Sequence, residues 1–440
     1  MSFDSRLIPA AQNHSPKRWR ALSQLKSDPL WVARRWFDER GLGFPVRLGS
    51  TRALMGIEPA LWAELSEPTS APSLKLGALG ALGALSALTE AQRRELLSPA
   101  QLLQATQAMT RCAAVYAAEH LEGAGTSGPL SELWGELCLW ATHVALLQID
   151  LKRPSAVHLA HRRKLKAVGA VWSHFHPLTI NTVPSARLSR ATLSNLEHLP
   201  HLGTRGAALG AQVSLAAHLM SSVSALGQWF WVWIAQSPEL LSAIQYELRA
   251  ALNERPYSSS QWSSLPTLSS TVFELMRLYP PEWCLSLPLA GAPASSQLKE
   301  RLCASSDVYA AALRDKRAPG RLLLMSYWHQ RDEAVWERAS HFEPRRHLPY
   351  VLRSECPPLL RPFGLRRVLM CARGELCFHA LMALLTGLLR RGAYLADESS
   401  ARALSQSPPA LRGGVIAPAH KLIARFAPSD HLSYVKSSRV

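Results

Sequence analysis

The sequence predicts a mainly α-helical protein with small β-sheets near each end of the chain, and three observations predict it. From residue 89 to residue 278, segment after segment carries apolar side chains at three- and four-residue spacing. Short apolar runs punctuated by Pro and Gly flank this body, at 44–57 and beyond Pro280-Pro281. No shift in composition marks a linker. Residues 1–440 therefore read as one domain, with residues 1–25 a polar, partly flexible tail.

The elements follow in order. Pro29–Arg40 reads as a short helix. FPVRLG and TRALMGI read as two strands around a turn at Gly49-Ser50. Residues 59–66 look helical. The run GALGALGALSAL within 67–88 has a period of three but is too short for a repeat domain. Helices are expected at 89–97, 98–121, 129–150, 155–174, 188–198, 205–236, 238–253, 259–263 and 267–278. Ser237-Pro238-Glu239 restarts a helix, because Pro and an acid suit a first turn. Leu285–Leu289 and Arg321–Ser326 read as strands. Residues 331–370 are rich in Arg and Pro and read as largely irregular, a length of loop that is usually functional. A last helix is expected at 374–391, followed by a short, strand-rich tail.

Composition narrows the function classes. A hydrophobic share of 48% and a charged share of 18% supply a core that needs no disulfide staples. The seven cysteines (112, 138, 284, 303, 356, 371 and 377) form no C-x-x-C pair, which argues for reduced thiols in a cytoplasmic protein. The N-terminus has no apolar signal core. The most apolar stretch, Ala216–Ala235, is interrupted by His218, serines and Gln228, so no membrane anchor is expected. The net charge of +17 is spread through the chain without long Lys/Arg runs. That pattern suits an acidic protein partner or carrier better than nucleic acid.

Three motifs carry chemistry. Glu274-Leu-Met-Arg277, followed by Leu-Tyr-Pro-Pro, places an acid and an arginine on one helical face. His329–Trp336 leads into Phe342-Glu343-Pro344-Arg345-Arg346, which offers a further arginine to the same acid. Pro362-Phe363-Gly364-Leu365-Arg366-Arg367 leads to Cys371 just ahead of an apolar helix, where the helix field and nearby arginines favour a thiolate.

The order of these motifs resembles that of the cytochromes P450, and the resemblance covers nearly the whole chain. Glu274, Arg277 and Arg346 match the family's Glu-Arg-Arg cluster. Phe363, Gly364 and Cys371 match its haem loop, and residues 374–391 its proximal helix L. Glu90–Pro99 is similar to the helix in which Arg94 would pair a haem propionate. Leu215–Glu239 is similar to the distal helix I. Asp28-Pro29-Leu30 and the strands near 44–57 fit the N-terminal sheet. The resemblance implies haem b held between helix I and the Cys loop, with Cys371 as the metal ligand. Phe363, Gly364, Arg94, Arg366 and Arg367 would hold the cofactor. Ser222, Ser221 and His218 would be the catalytic residues on the oxygen side, and Leu219, Trp283, Leu285 and Leu287 would line the substrate pocket. It further implies a soluble, bacterial-type monooxygenase. One oxygen atom would enter an apolar small-molecule or carrier-bound substrate, with electrons from NAD(P)H through a ferredoxin and its reductase.

The sequence departs from the family pattern in named places. Phe363 stands eight rather than seven residues before Cys371, and Leu369 occupies the place of the propionate-binding arginine. The glycine after the cysteine is Gly374, three rather than two residues on. Cys377 is the competing ligand. In helix I the family's A-G-x-[DE]-T falls on His218-Leu219-Met220-Ser221-Ser222, so the acid is missing. The family usually places an arginine near Leu287 to meet a propionate, and none stands there. Two alternatives follow. One is an O2-independent isomerase, dehydratase or coupling enzyme. The other is a P450-fold binding protein that has lost catalysis.

Overall fold

The computed structural model describes residues 28–41, 43–48, 51–57, 59, 62, 98–122, 127–146, 207–253, 255–289, 299–300, 302–303, 307–314, 319–365, 367–370, 372–412 and 415–428. The N-terminal tail, the run at 67–88, most of 59–66 and the helices expected at 89–97, 155–174 and 188–198 lie outside the described residues.

The described fold is mainly helical with three small sheets. Helix α1 (Pro29–Arg40) starts where Asp28 caps it, its carboxylate accepting from the Trp31 amide. Strands β1 (Gly43–Leu48) and β2 (Thr51–Gly56) form an antiparallel hairpin with Leu48 opposite Thr51. Then come α2 (Pro99–Glu122), β3 (Ser127–Pro129), α3 (Leu130–Leu146), α4 (Ala207–Ile234), α5 (Pro238–Leu252) and α6 (Pro266–Leu278). The segment expected to be helical near 259–263 is the 3-10 turn Ser259–Ser264, tightened by a hydrogen bond from the Ser258 amide to Gln261 Oε1. Strand β4 (Leu285–Pro288), helix α7 (Asp307–Arg314) and strand β5 (Arg321–Leu324) follow.

The long segment after β5 contains one-turn helices at Ser326–His329 (α8) and Leu348–Leu352 (α9), 3-10 turns at Pro344–His347 and Val368–Met370, and turns between them. Helix α10 (Ala372–Leu389) and strand β6 (Gly392–Ala396) come next. Helix α11 (Glu398–Gln406) and strands β7 (Ala410–Arg412), β8 (Val415–Ala417) and β9 (Ile423–Pro428) close the fold.

The first sheet runs β1-β2-β5-β4, with β2 and β5 parallel and the other pairs antiparallel. The second runs β3-β9-β6, and β7-β8 is a separate hairpin. Three elements differ from the sequence expectation. Strand β3 exists because Ser127–Pro129 pair with β9, a long-range contact that no local pattern announces. Helix α7 lies between Pro/Gly-rich stretches and is fixed by packing, with Tyr309 buried beneath the first sheet among Leu54, Leu322 and Leu324. Helix α11 stands in the expected strand-rich tail. Its Asp397 cap accepts from the Ser400 amide.

Helix α4 is the central element. It touches α3, α6, α10, α11, β6 and β8. Gly227 makes its contact with α3 possible: a Cβ there would lie 2.0 Å from Nε1 of the fully buried Trp134. That indole donates to the carbonyl of Val223 at 3.2 Å. At the far side of the core, Gly387 lets α10 approach α2, since a Cβ would meet Thr110 O at 2.4 Å. No described helix is long and apolar enough to cross a membrane.

Gly227→Ala forces a methyl group into a rigid indole. We expect it to lower the free energy of urea-induced unfolding by about 1–3 kcal/mol. A loss below measurement error would show that α3 and α4 do not pack as described.

Candidate functional site

The site is built on one buried carboxylate. Helix α6 is buried along its whole length from Leu268 to Leu278, so Glu274 and Arg277, three residues apart on one face, are both removed from water. An ion pair so placed is costly unless every donor and acceptor is satisfied. Here the satisfaction is complete on both sides. The Arg277 guanidinium donates Nε to Glu274 Oε2 (2.8 Å) and Nη2 to Oε1 (2.9 Å). Its other N–H groups reach the carbonyls of Gln330 and Ala339 (both 2.6 Å) and His341 (3.0 Å). Glu274 accepts three more hydrogen bonds, from the Glu343 amide (2.8 Å), Arg346 Nε (3.2 Å) and His347 Nε2 (2.9 Å).

The charge states follow. Burial raises the Glu274 pKa, but the hydrogen bonds from Arg277 and His347 outweigh it and hold the carboxyl down at about 2. Burial depresses His347, which is therefore neutral near pH 7 and donates from Nε2. Arg346 also binds the Glu337 carbonyl at 2.7 Å, and Arg277 lies over the Trp336 ring. Pro344 opens the 3-10 turn that delivers Arg346 and His347 together. Phe342 stacks on Trp233 of α4 with centroids 4.5 Å apart, and Trp229 stacks on Tyr279 at 3.8 Å. The irregular segment is thus fastened to α6 by charge and to α4 by aromatic contact.

The structure brings together the expected Glu274, Arg277 and Arg346. His347 and the Glu343 amide were not anticipated. A histidine following two arginines carries no sequence signal of burial, and a backbone amide carries none at all.

The same segment leads to the cysteine loop. Gln330 Nε2 donates to the Leu359 carbonyl (3.1 Å), and the Glu282 amide to the Pro362 carbonyl (3.1 Å). Phe363 is buried. Gly364 has φ +105°, where a side chain is strained, and a Cβ would lie 3.3 Å from Leu285. Arg367 is exposed, and Leu369 packs at the edge of the core. The 3-10 turn Val368–Met370 ends immediately before position 371, and α10 begins immediately after it. Gly374 in the first turn of α10 admits no side chain, since a Cβ would meet Val368 O at 2.3 Å and Phe363 at 3.2 Å. Arg373 forms an unanticipated ion pair with Glu282 at 2.8 Å. Cys371, Arg366 and Arg94 lie outside the described residues. Cys377 is buried in the main core beside Cys138, and burial pushes its thiol pKa up, away from the thiolate.

On α4, the Ser222 hydroxyl is buried without a hydrogen-bond partner among the described residues. Ser221 is half-buried, and His218 stands one turn earlier on the same helix. The residues expected to line a pocket are not brought to one place. Leu219 and Trp283 belong to the main core, whereas Leu285 and Leu287 fill the smaller cluster around Trp62 and Tyr309. Leu285 and Leu287 alternate onto one face of β4, while Trp283 precedes that strand and Leu219 stands on α4.

No family model matches the chain, and a comparison with curated proteins finds no match.

The hub has a measurable signature in stability. Glu274 is held at about 2 against an ordinary 4.5, so its contribution of about 3 kcal/mol is present above pH 4.5 and lost as pH falls toward 2. Glu274→Gln leaves Arg277 buried without its counter-charge. At pH 7 it should cost about 3–5 kcal/mol in urea unfolding. The gap to the wild type should narrow below pH 4.5. A cost below about 1 kcal/mol at pH 7 would mean that the cluster is not a stabilising centre.

Proposed function

We propose that this chain is a cytochrome P450-type haem-thiolate monooxygenase, a single-domain cytoplasmic enzyme that oxygenates an apolar small-molecule or carrier-bound substrate. The observation that carries the reading is the buried Glu274 carboxylate. It joins Arg277 of α6 to Arg346 of the irregular segment, and that segment continues into a glycine-pinned loop ending at Cys371. The order of these parts along the chain is that of the family the sequence resembles.

The residues present fit a thiolate-held porphyrin. Gly364 takes a positive φ that strains any side chain, and at Gly374 a Cβ would collide with the Val368 carbonyl, so the loop is folded back tightly on the start of α10. A cysteine at position 371 would sit at the positive end of that helix, which favours the ionised form. Cys377 makes a poor rival, enclosed in the core with its thiol held protonated by burial.

In this reading Cys371 would hold the iron through its thiolate, Phe363 and Gly364 would shape the loop beside the haem, and Arg94, Arg366 and Arg367 would pair with its propionates. A bound haem would supply dioxygen activation, with the thiolate pushing electron density toward the metal. The chain's own contribution is positional. Glu274, Arg277, Arg346 and His347 hold the loop's approach rigid, and α4 supplies Ser222 as a buried hydroxyl able to hold a proton or an ordered water. Electrons would come from NAD(P)H by way of a ferredoxin-type partner, whose acidic surface the net charge of +17 would attract.

A second reading is favoured by a specific feature of α4. The turn His218–Ser222 has no carboxylate, so the usual acid–alcohol pair is reduced to the Ser222 hydroxyl. An enzyme that isomerises, dehydrates or couples its substrate without dioxygen needs no such pair. Turnover that ignores reductant would select this second reading.

The deciding test is the absorption spectrum of the reduced, CO-bound protein. The wild type should show the strongly red-shifted Soret band of a thiolate-ligated haem, and Cys371→Ala should lose it. An unshifted band in the wild type would sink thiolate ligation, and failure to take up haem would leave a P450-like binding protein.

A further inference from the structure

The functional reading leaves Glu282 unused, although this residue touches both ends of the stretch that carries Cys371. Its amide donates to the Pro362 carbonyl at 3.1 Å, just ahead of Phe363 and Gly364. Its carboxylate accepts from Arg373 Nη2 at 2.8 Å, at the start of α10. Residues 363–372, Cys371 among them, are thus closed between two bonds to one residue.

Glu282 stands on fixed chain. It follows Pro280-Pro281, whose rings restrict the backbone. The next residue, Trp283, is buried, and its carbonyl accepts from the Tyr327 amide at 3.1 Å. The ion pair is also shielded from water, with the Arg373 side chain 11% exposed and that of Glu282 15%. Neither forms another ion pair among the described residues. A charge-assisted bond so sheltered holds its geometry better than an exposed surface pair. Arg373 moreover stands where the helix field disfavours it, a cation in the first turn of α10. The Glu282 carboxylate offsets that repulsion. Beside Arg373, Gly374 packs on the Val368 carbonyl, so a shift of the first turn of α10 passes directly to the turn Val368–Met370.

We propose that Glu282 is the positioning residue of the cysteine loop. By holding Pro362 through its backbone and Arg373 through its carboxylate, it fixes the span from which Cys371 is presented. The clamp stands on the contacts alone; its effect on a bound haem rests on the functional reading above.

The test uses the full-length protein as wild type, Glu282→Gln, Arg373→Gln and the exchanged pair, Glu282→Arg with Arg373→Glu. Amide hydrogen exchange reads the loop without haem. Each single substitution should speed exchange at 367–370 about 10- to 100-fold, most clearly at the Met370 amide, which donates to the Arg367 carbonyl at 3.0 Å. Amides of α2 and α4 should keep their wild-type rates. In the reduced, CO-bound protein, each single variant should convert part of the red-shifted Soret band into an unshifted one, while the urea midpoint of the whole fold stays close to that of the wild type. The exchanged pair should restore slow exchange and the red-shifted band in part. Single variants that exchange and absorb as the wild type does overturn the proposal. Faster exchange throughout α2 and α4 that the exchanged pair does not reverse overturns it too, since the pair would then support the fold at large. If a single variant fails to fold, recovery of slow exchange at 367–370 in the exchanged pair upholds the proposal, and its absence overturns it. A wild type that takes up no haem, or shows only an unshifted band, overturns the functional reading instead, and exchange then decides the clamp alone.

Discussion

A carboxylate with no access to water governs this structure. Glu274 is ionised inside the core, which is tolerable only because five donors converge on it, two of them from one guanidinium. Each donor fixes a piece of chain. Arg277 belongs to α6 and in turn captures three carbonyls, of Gln330, Ala339 and His341, spread over a stretch with no regular ladder of its own. The Glu343 amide, Arg346 and His347 close the same stretch from its other end. Backbone groups of an irregular segment need partners as much as those of a helix do, and here one buried ion pair provides many of them.

The rest of the candidate site is arranged around that fixed segment. Aromatic stacking of Phe342 on Trp233 ties it to α4, the helix that carries Ser222. Hydrogen bonds from Gln330 and Glu282 to Leu359 and Pro362 lead it toward the cysteine loop. The Glu282–Arg373 ion pair then joins the stretch after α6 to the first turn of α10. A loop so anchored on both sides can hold a functional group in one geometry without the support of a regular element.

The long helices were legible in the sequence because their periodicity is strong. The expected 205–236, 238–253 and 267–278 differ from the observed α4, α5 and α6 by one or two residues at the ends. The hairpin of β1 and β2 and the β4 and β5 runs were legible for the same reason. What escaped depends on distant partners. Strand β3 is made by β9 and α7 by the cluster under the first sheet; α11 is different, since its cap at Asp397 is local and lies within a tail expected to be strand-rich. In the site, the Glu274–Arg277 spacing and the Phe-Glu-Pro-Arg-Arg run named three members of the cluster, while His347 became visible only through its burial. Leu285 and Leu287 were read as pocket lining. The pleat instead turns them into a packed cluster and leaves Ser286 on the opposite face with Arg321.

The most direct test of the central constraint is amide hydrogen exchange across residues 330–347 in the wild-type protein. If the buried carboxylate organises this segment, its amides should exchange slowly, on the scale of the core helices. Above all the Glu343 amide, which no ladder bond protects, should be slow because it donates to Glu274 at 2.8 Å. Rapid exchange throughout the segment, as in an ordinary surface loop, would contradict the account at its base.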